Sequence, residues 1–102
     1  MEKTYETCFP EVIDLLEEFT GKKFKPDWNF IVPVVHQIET MGYTIKVHKF
    51  DDLCVGTIVW RNEKITDSKV KCVQPDDSGR FKCTILLLYY FLRYTKINGF
   101  KY

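Results

Sequence analysis

Hydrophobic residues recur at different spacings on the two sides of Gly42, and this change predicts a helix followed by a strand. Before Gly42, the apolar positions follow the three- and four-residue spacing of one helix face, at Ile31, Val34, Val35, Ile38 and Met41. After it, Tyr43, Ile45 and Val47 alternate with polar residues in the two-residue period of a strand. Gly42 itself stands where a left-handed residue commonly ends a helix. The pattern predicts a helix that folds back onto a sheet.

Two further helices are predicted, one before the helix that ends at Gly42 and one near the end of the chain. The acidic N-terminal segment carries an apolar stripe, with Thr7 as the candidate N-cap and Gly21 as the residue that ends the helix. Asp27 or Asn29 is placed to cap the second helix. Residues 80–97 contain no turn signal and are too many for one strand, so a final helix is predicted there.

Three strands are predicted between the second and the last helix. They span residues 43–50, 53–60 and, more weakly, 69–73. Asp51 and Asp52 form the first turn, residues 61–64 form the second, and Gly56 is a candidate bulge. The element order is α-α-β-β-β-α. We therefore predict one α+β domain over residues 1–102, with helices packed on one face of a small antiparallel sheet.

Composition and cysteine placement indicate a soluble, cytoplasmic protein. The chain is 45% hydrophobic and 28% charged, as expected for a globular domain, and its four cysteines lie apart from one another inside apolar segments. Isolated buried cysteines are typical of reduced thiols in the cytosol. Residues 1–20 lack the basic start and apolar core of a signal peptide. The longest apolar run, residues 85–92, is too short to cross a membrane.

Charge is distributed unevenly although the net charge is only +1. Residues 1–20 contain six acidic side chains and one lysine, whereas residues 61–102 contain nine basic and four acidic side chains. This asymmetry indicates one acidic and one basic face. The alternative is that the two regions fold beside each other and their charges are simply solvated or paired.

No group of residues has the spacing of a metal site or a catalytic centre. The candidate zinc ligands are His36, His48, Cys54 and Cys72, and none forms a local ligand pair with another. His48 and Cys54 could be neighbours across a hairpin, but no third group is placed to orient them. Glycine-rich phosphate loops are also missing from the sequence. We therefore predict no enzyme, no metal and no cofactor, with a small enzyme as the second alternative to a binding protein.

Two sets of residues could instead form a binding surface. The last helix is apolar nearly all round, so one stripe faces the core and a second stripe is a candidate protein-binding surface, formed by Leu87, Tyr90, Phe91 and Tyr94. The alternative is that the other helices and the sheet cover this second stripe. A nucleic-acid surface is the competing hypothesis, because tyrosines interleave with six basic residues, Lys69, Lys71, Arg80, Lys82, Arg93 and Lys96.

The segment around Trp28 resembles a group of short phage and prophage proteins of Bacteroidetes. Their shared pattern is W-x-x-x-x-P-V-V-x-x-I-E-x-x-G-Y, which this chain matches from Trp28 to Tyr43, with a looser match over residues 84–98. Gln37 replaces the usual basic residue of the group. The resemblance implies a small accessory protein of a mobile element, and it transfers no activity and no site residue.

These observations together favour a non-enzymatic phage accessory protein in the cytoplasm of the infected bacterial host. We expect it to bind and inhibit a host or defence protein, or a nucleoprotein complex, in the manner of an anti-CRISPR inhibitor. A small nucleic-acid-binding protein is the main alternative. No membrane partner is predicted, and formation of a homodimer is left open.

Overall fold

The computed structural model describes residues 4–71 and 78–100 of the 102-residue chain. Their elements follow the order α-α-β-β-β-α and form the predicted α+β fold. The helices are α1 (Glu11–Thr20), α2 (Trp28–Thr40) and α3 (Ser78–Asn98), and the strands are β1 (Tyr43–Phe50), β2 (Leu53–Trp60) and β3 (Glu63–Lys71).

Helix α1 begins later than its predicted cap. Thr7 does not cap it, because Thr7 Oγ1 accepts a hydrogen bond from the Thr4 backbone N–H (2.7 Å) in a preceding turn. Pro10 occupies the N-cap position and supplies no side-chain hydrogen bond. The other end is as predicted: Gly21 is left-handed, with φ of 69°, and its N–H donates to the Glu17 carbonyl. The buried face consists of Val12, Leu15 and Leu16.

Helix α2 is capped by Asp27, one of the two predicted candidates. The Asp27 carboxylate accepts a hydrogen bond from the Phe30 backbone N–H at 2.9 Å, which satisfies a donor that the helix itself leaves free. At the other end, Gly42 has φ of 102° and its N–H donates to the Glu39 carbonyl at 3.0 Å. This positive φ turns the chain directly from the helix into β1.

The three strands form an antiparallel sheet in the order β1-β2-β3. Strand β3 begins at Glu63, not at Lys69 as predicted, because the second turn contains only Arg61 and Asn62. Both turn residues have positive φ, 50° and 67°, which matches the twist of a tight two-residue hairpin. The predicted continuation of this strand to residue 73 lies partly outside the described residues.

The bulge of the sheet lies between Ile58 and Val59, so the prediction of a bulge at Gly56 is wrong. Gly56 pairs in regular register with Val47 and Ser68. The physical reason for a glycine here is the close approach of α3. A Cβ atom at Gly56 would lie 3.1 Å from Leu87 Cδ2, which is closer than almost all real contacts of this kind.

Helix α3 is the centre of the core. It crosses all three strands on one face of the sheet, and α1 packs against it. Residues 83–89 of this helix are all buried, because the sheet covers one side and the other helices cover the rest. Near its start, the Phe81 ring meets Trp28 of α2 edge-on at 5.2 Å. This position explains why α3 is apolar nearly all round.

Candidate binding surface

The predicted protein-binding stripe on α3 is not an exposed surface. Leu87 and Phe91 are both 0% exposed, so the prediction that they contact a partner is wrong. Phe91 packs edge-on against Tyr43 of β1, with ring centroids 4.9 Å apart. Tyr90 and Tyr94 are half-buried. The alternative, in which the rest of the domain covers this stripe, describes the structure.

The six predicted basic residues do not share one face. Arg93 and Lys96 point towards α1, where Arg93 Nε lies 3.9 Å from Glu11 and Lys96 Nζ lies 3.6 Å from Glu18. The acidic helix and the basic end of α3 therefore pair with each other, which accounts for part of the charge asymmetry of the sequence. At the start of α3, the Lys82 ammonium group lies 5.6 Å from the centre of the Tyr5 ring, and Arg80 is exposed.

Lys69 and Lys71 lie elsewhere, on the face of the sheet that none of the described helices covers. The register places alternate residues of each strand on opposite faces. The helix-covered face contains the buried Cys54, Gly56 and Ile58 of β2. Their neighbours in sequence point the other way and form the outer face of the sheet. Antiparallel sheets commonly leave one face open to solvent, but that face is then mainly polar.

One end of the outer face is instead a mixture of aromatic, aliphatic and basic side chains. The residues lie in two cross-strand rows and together form the surface that we call the tip patch: Phe50, Leu53 and Lys71 in one row, and His48, Val55 and Lys69 in the other. Side chains directly opposite in such rows are about 5 Å apart, so the six make one continuous surface.

The aromatic side of the tip patch is exposed. Phe50 is 60% exposed, the highest value for any aromatic side chain among the described residues. Its ring centroid lies 6.1 Å from that of His48, with the two planes inclined at 43°. Leu53 and Val55 are half-buried and form an aliphatic floor on the central strand.

The basic side of the tip patch has no acidic partner within residues 4–71 and 78–100. Lys69 and Lys71 are exposed, and neither forms an ion pair with any residue of these two ranges. Further along β3, Lys64 pairs with Asp67 at 2.9 Å. Two exposed carboxylates, those of Asp51 and Asp52, occupy the turn that borders the patch. The patch is thus a basic and aromatic surface with an acidic edge.

The candidate metal and thiol chemistry is not assembled in the described part of the chain. No group of three potential ligands is present there. His48 belongs to the outer face, whereas Cys54 is buried on the opposite face, so they do not form a pair across the hairpin. Cys8, Cys54 and Cys83 are buried and no disulfide joins any two of them, and Cys72 lies outside the described residues. Cys83 Sγ lies 3.2 Å from the Ser68 hydroxyl, inside the core.

One polar cluster connects α1 to α3. The Tyr89 hydroxyl donates to the Glu11 carboxylate at 3.2 Å and accepts a hydrogen bond from Arg93 at 2.8 Å. Burial raises the pKa of Tyr89 above its usual 10.0, the Arg93 hydrogen bond lowers it, and Glu11 raises it again. The neutral phenol is therefore favoured, and the cluster acts as a structural link between the two helices.

A groove of about 330 Å³ lies where the three helices meet near the end of α3. Its lining is mainly apolar and includes Leu15, Phe19, Met41, Leu92 and Phe100. The Thr95 hydroxyl in the groove already donates to the Leu92 carbonyl at 3.1 Å. The Glu18 and Lys96 side chains pair with each other beside it. These polar groups are thus occupied within the domain.

No protein-family model, no curated protein and no solved structure matches the chain. No helix within the described ranges is long and apolar enough to cross a membrane. The sequence prediction identified Lys69 and Lys71 but missed Phe50 and His48. The two-residue alternation along β1 is the signal that could have found them, because both residues alternate with the more buried residues of this strand.

Proposed function

We propose that this protein is a non-enzymatic binding protein that engages a host macromolecule through the tip patch. The observation that carries the proposal is the exposure of Phe50 on the same face of the sheet as Lys69 and Lys71, a face that no helix of the described residues covers. An exposed aromatic ring on an apolar floor is a common mark of a contact surface. The exposed side chains of the patch are spread over three strands, which suits a large partner.

A binding role is also supported by the side chains of the patch. Lysine, phenylalanine and aliphatic side chains provide charge and contact area, whereas catalysis requires a nucleophile or an acid next to a base. His48 supplies the imidazole of the patch, and the register places Cys54 on the other side of the sheet. Cys54 therefore does not provide a thiol nucleophile to His48 on this face.

The resemblance of the Trp28–Tyr43 segment to phage and prophage proteins supports a mobile-element origin for this binding protein. Accessory proteins of this kind commonly act by occupying a surface of the host machinery. We therefore propose inhibition of a host or defence macromolecule, of the anti-CRISPR type, as the consequence of binding. This step is an analogy between small accessory proteins and depends on no catalytic residue.

Capture from a bacterial host lysate tests the proposal with two matched variants. Phe50→Glu places a charge in the tip patch, and Ile97→Glu makes the same type of change at a residue that is 76% exposed at the end of α3. Both side chains are exposed, so both variants should fold normally. We expect the wild type and Ile97→Glu to retain the same bound material and Phe50→Glu to lose it.

The proposal is wrong if Phe50→Glu captures as much material as the wild type. Nuclease treatment of a parallel sample separates the two classes of partner. Material that survives the nuclease and still depends on Phe50 is a protein partner, and material that disappears is held through nucleic acid.

A further inference from the structure

We propose that the tip patch binds single-stranded nucleic acid, with a base stacked on Phe50 and phosphates paired with Lys69 and Lys71. The inference rests on the proposed function, because it names the partner class for the same surface. It combines three observations: an exposed ring, two lysines without an ion pair in the described ranges, and their arrangement on one open sheet face.

The exposed ring provides a stacking platform. Phe50 is 60% exposed and lies beside the His48 ring, so both an aromatic face and a second ring are available to a flat ligand. Every nucleobase has a π face, and stacking on an aromatic side chain tolerates any base. In a duplex these base faces are covered by their stacked neighbours and are not available to a protein ring. The ring therefore favours a single strand.

The lysines favour phosphates over a protein surface. Lysine is depleted in the buried centre of protein–protein interfaces, yet Lys69 and Lys71 are cross-strand neighbours of the aliphatic residues Val55 and Leu53. Arg93, in contrast to these two lysines, points towards Glu11 on α1. Because Lys69 and Lys71 form no ion pair with any residue of 4–71 or 78–100, they can replace the counterions of a nucleic-acid backbone, which is the main source of affinity in such complexes.

The sheet also separates the two kinds of contact by a suitable distance. Phe50 lies on β1 and Lys71 on β3, with Leu53 between them on β2. Neighbouring strands are about 4.8 Å apart, so the ring and the ammonium group are anchored roughly 10 Å apart on the same face. A nucleotide can then place its phosphate over β3 and its base over β1. Asp51 and Asp52 repel phosphates from the turn and keep the backbone on the β3 side.

Fluorescence anisotropy with labelled twelve-nucleotide oligo(dT) and oligo(U) tests this inference on the full chain. The decisive pair of variants is Phe50→Tyr, which keeps the aromatic face, and Phe50→Leu, which keeps apolar area but removes stacking. We expect Phe50→Tyr to bind within about 2-fold of the wild type and Phe50→Leu to bind at least ~5-fold more weakly. A preference for one oligonucleotide distinguishes DNA from RNA as the source of the strand.

The lysine contribution is measured from the salt dependence of the same binding. The double variant Lys69→Ala/Lys71→Ala should reduce the slope of log K against log salt by about 1.4, because each single-strand phosphate contact contributes roughly 0.7. The matched control is Lys22→Ala/Lys23→Ala, which makes the same change of charge in the exposed loop between α1 and α2. We expect the control to retain the wild-type slope.

The inference would be overturned by no binding of either oligonucleotide at 50 mM salt, by equal loss in Phe50→Tyr and Phe50→Leu, or by equal slopes in the two lysine variants. Equally strong binding of a duplex would also contradict it. If a protein from the lysate still depends on Phe50 in such a case, the proposed function stands and only the partner class is wrong. If neither the binding of the oligonucleotides nor the capture of a protein from the lysate depends on Phe50, both proposals fail.

Discussion

Truncation of Phe91 to alanine should strongly destabilise the domain, because the structure places this ring in the core. Phe91 is 0% exposed and meets Tyr43 edge-on at 4.9 Å and Phe100 at 6.1 Å. Removing a buried phenylalanine costs roughly 3–5 kcal/mol. Edge-to-face ring pairs contribute about 0.5–1.5 kcal/mol beyond the buried area. We therefore expect a loss near the upper half of that range, about 4 kcal/mol.

Such a loss is a large fraction of the ~5–15 kcal/mol that stabilises a typical domain. At about 4–8 °C per kcal/mol for a protein of this size, the melting temperature should fall by about 15–30 °C. Urea unfolding followed by circular dichroism measures the free-energy change directly. Phe50→Ala is the control, because this ring is 60% exposed and its truncation should change stability by no more than about 0.5 kcal/mol.

A Phe91→Ala variant that loses less than about 1 kcal/mol would refute this reasoning. In that case the Phe91 ring would not be packed against β1, and the interpretation of this stripe of α3 as a partner surface would be supported instead. If both variants lose several kcal/mol, the outer face of the sheet is not open to solvent as described.

Three further predictions concern the core. Gly56→Val should destabilise the domain by about 1–3 kcal/mol in urea unfolding, because a Cβ atom meets Leu87 at 3.1 Å, and wild-type stability would contradict that contact. Tyr89→Phe should cost about 0.5–1.5 kcal/mol at pH 7 by removing the hydroxyl between Glu11 and Arg93. A raised tyrosine pKa gives stability that is fully present below pH 10 and lost as the pH rises above it, so this variant should lose less stability than the wild type as the pH is raised above 10. The melting temperature should be the same with and without reductant, since no disulfide joins the described cysteines, and a fall of several degrees on reduction would reveal a disulfide.

The local elements could be predicted from the sequence because each is specified by neighbouring residues. Asp27 at the start of α2 and Gly42 at its end act through hydrogen bonds that span only three residues. The first two strands follow from the alternation of apolar and polar residues and from the polar turn at Asp51 and Asp52 between them. Strand β3 was predicted too short because Arg61 and Asn62 both adopt positive φ, which lets a two-residue turn replace a four-residue one.

The candidate site was harder to predict because burial depends on which elements meet. An all-round apolar helix such as α3 looks the same in sequence whether its second stripe is covered or free. Only the packing of Phe91 against Tyr43 decides between the two. The two lysines of β3 were found by charge alone, whereas Phe50 required the cross-strand register that places it in the same row as Lys71.

The central claim is that the partner lies on the outer face of the sheet, at the tip patch. Backbone amide chemical shifts, measured by NMR during titration with the twelve-nucleotide oligo(dT), test it most directly. The account predicts that the largest changes occur in residues 48–55 and 69–71, with little change in α1 or α3. Changes centred instead on Arg93 and Lys96, or on the groove between the helices, would contradict it.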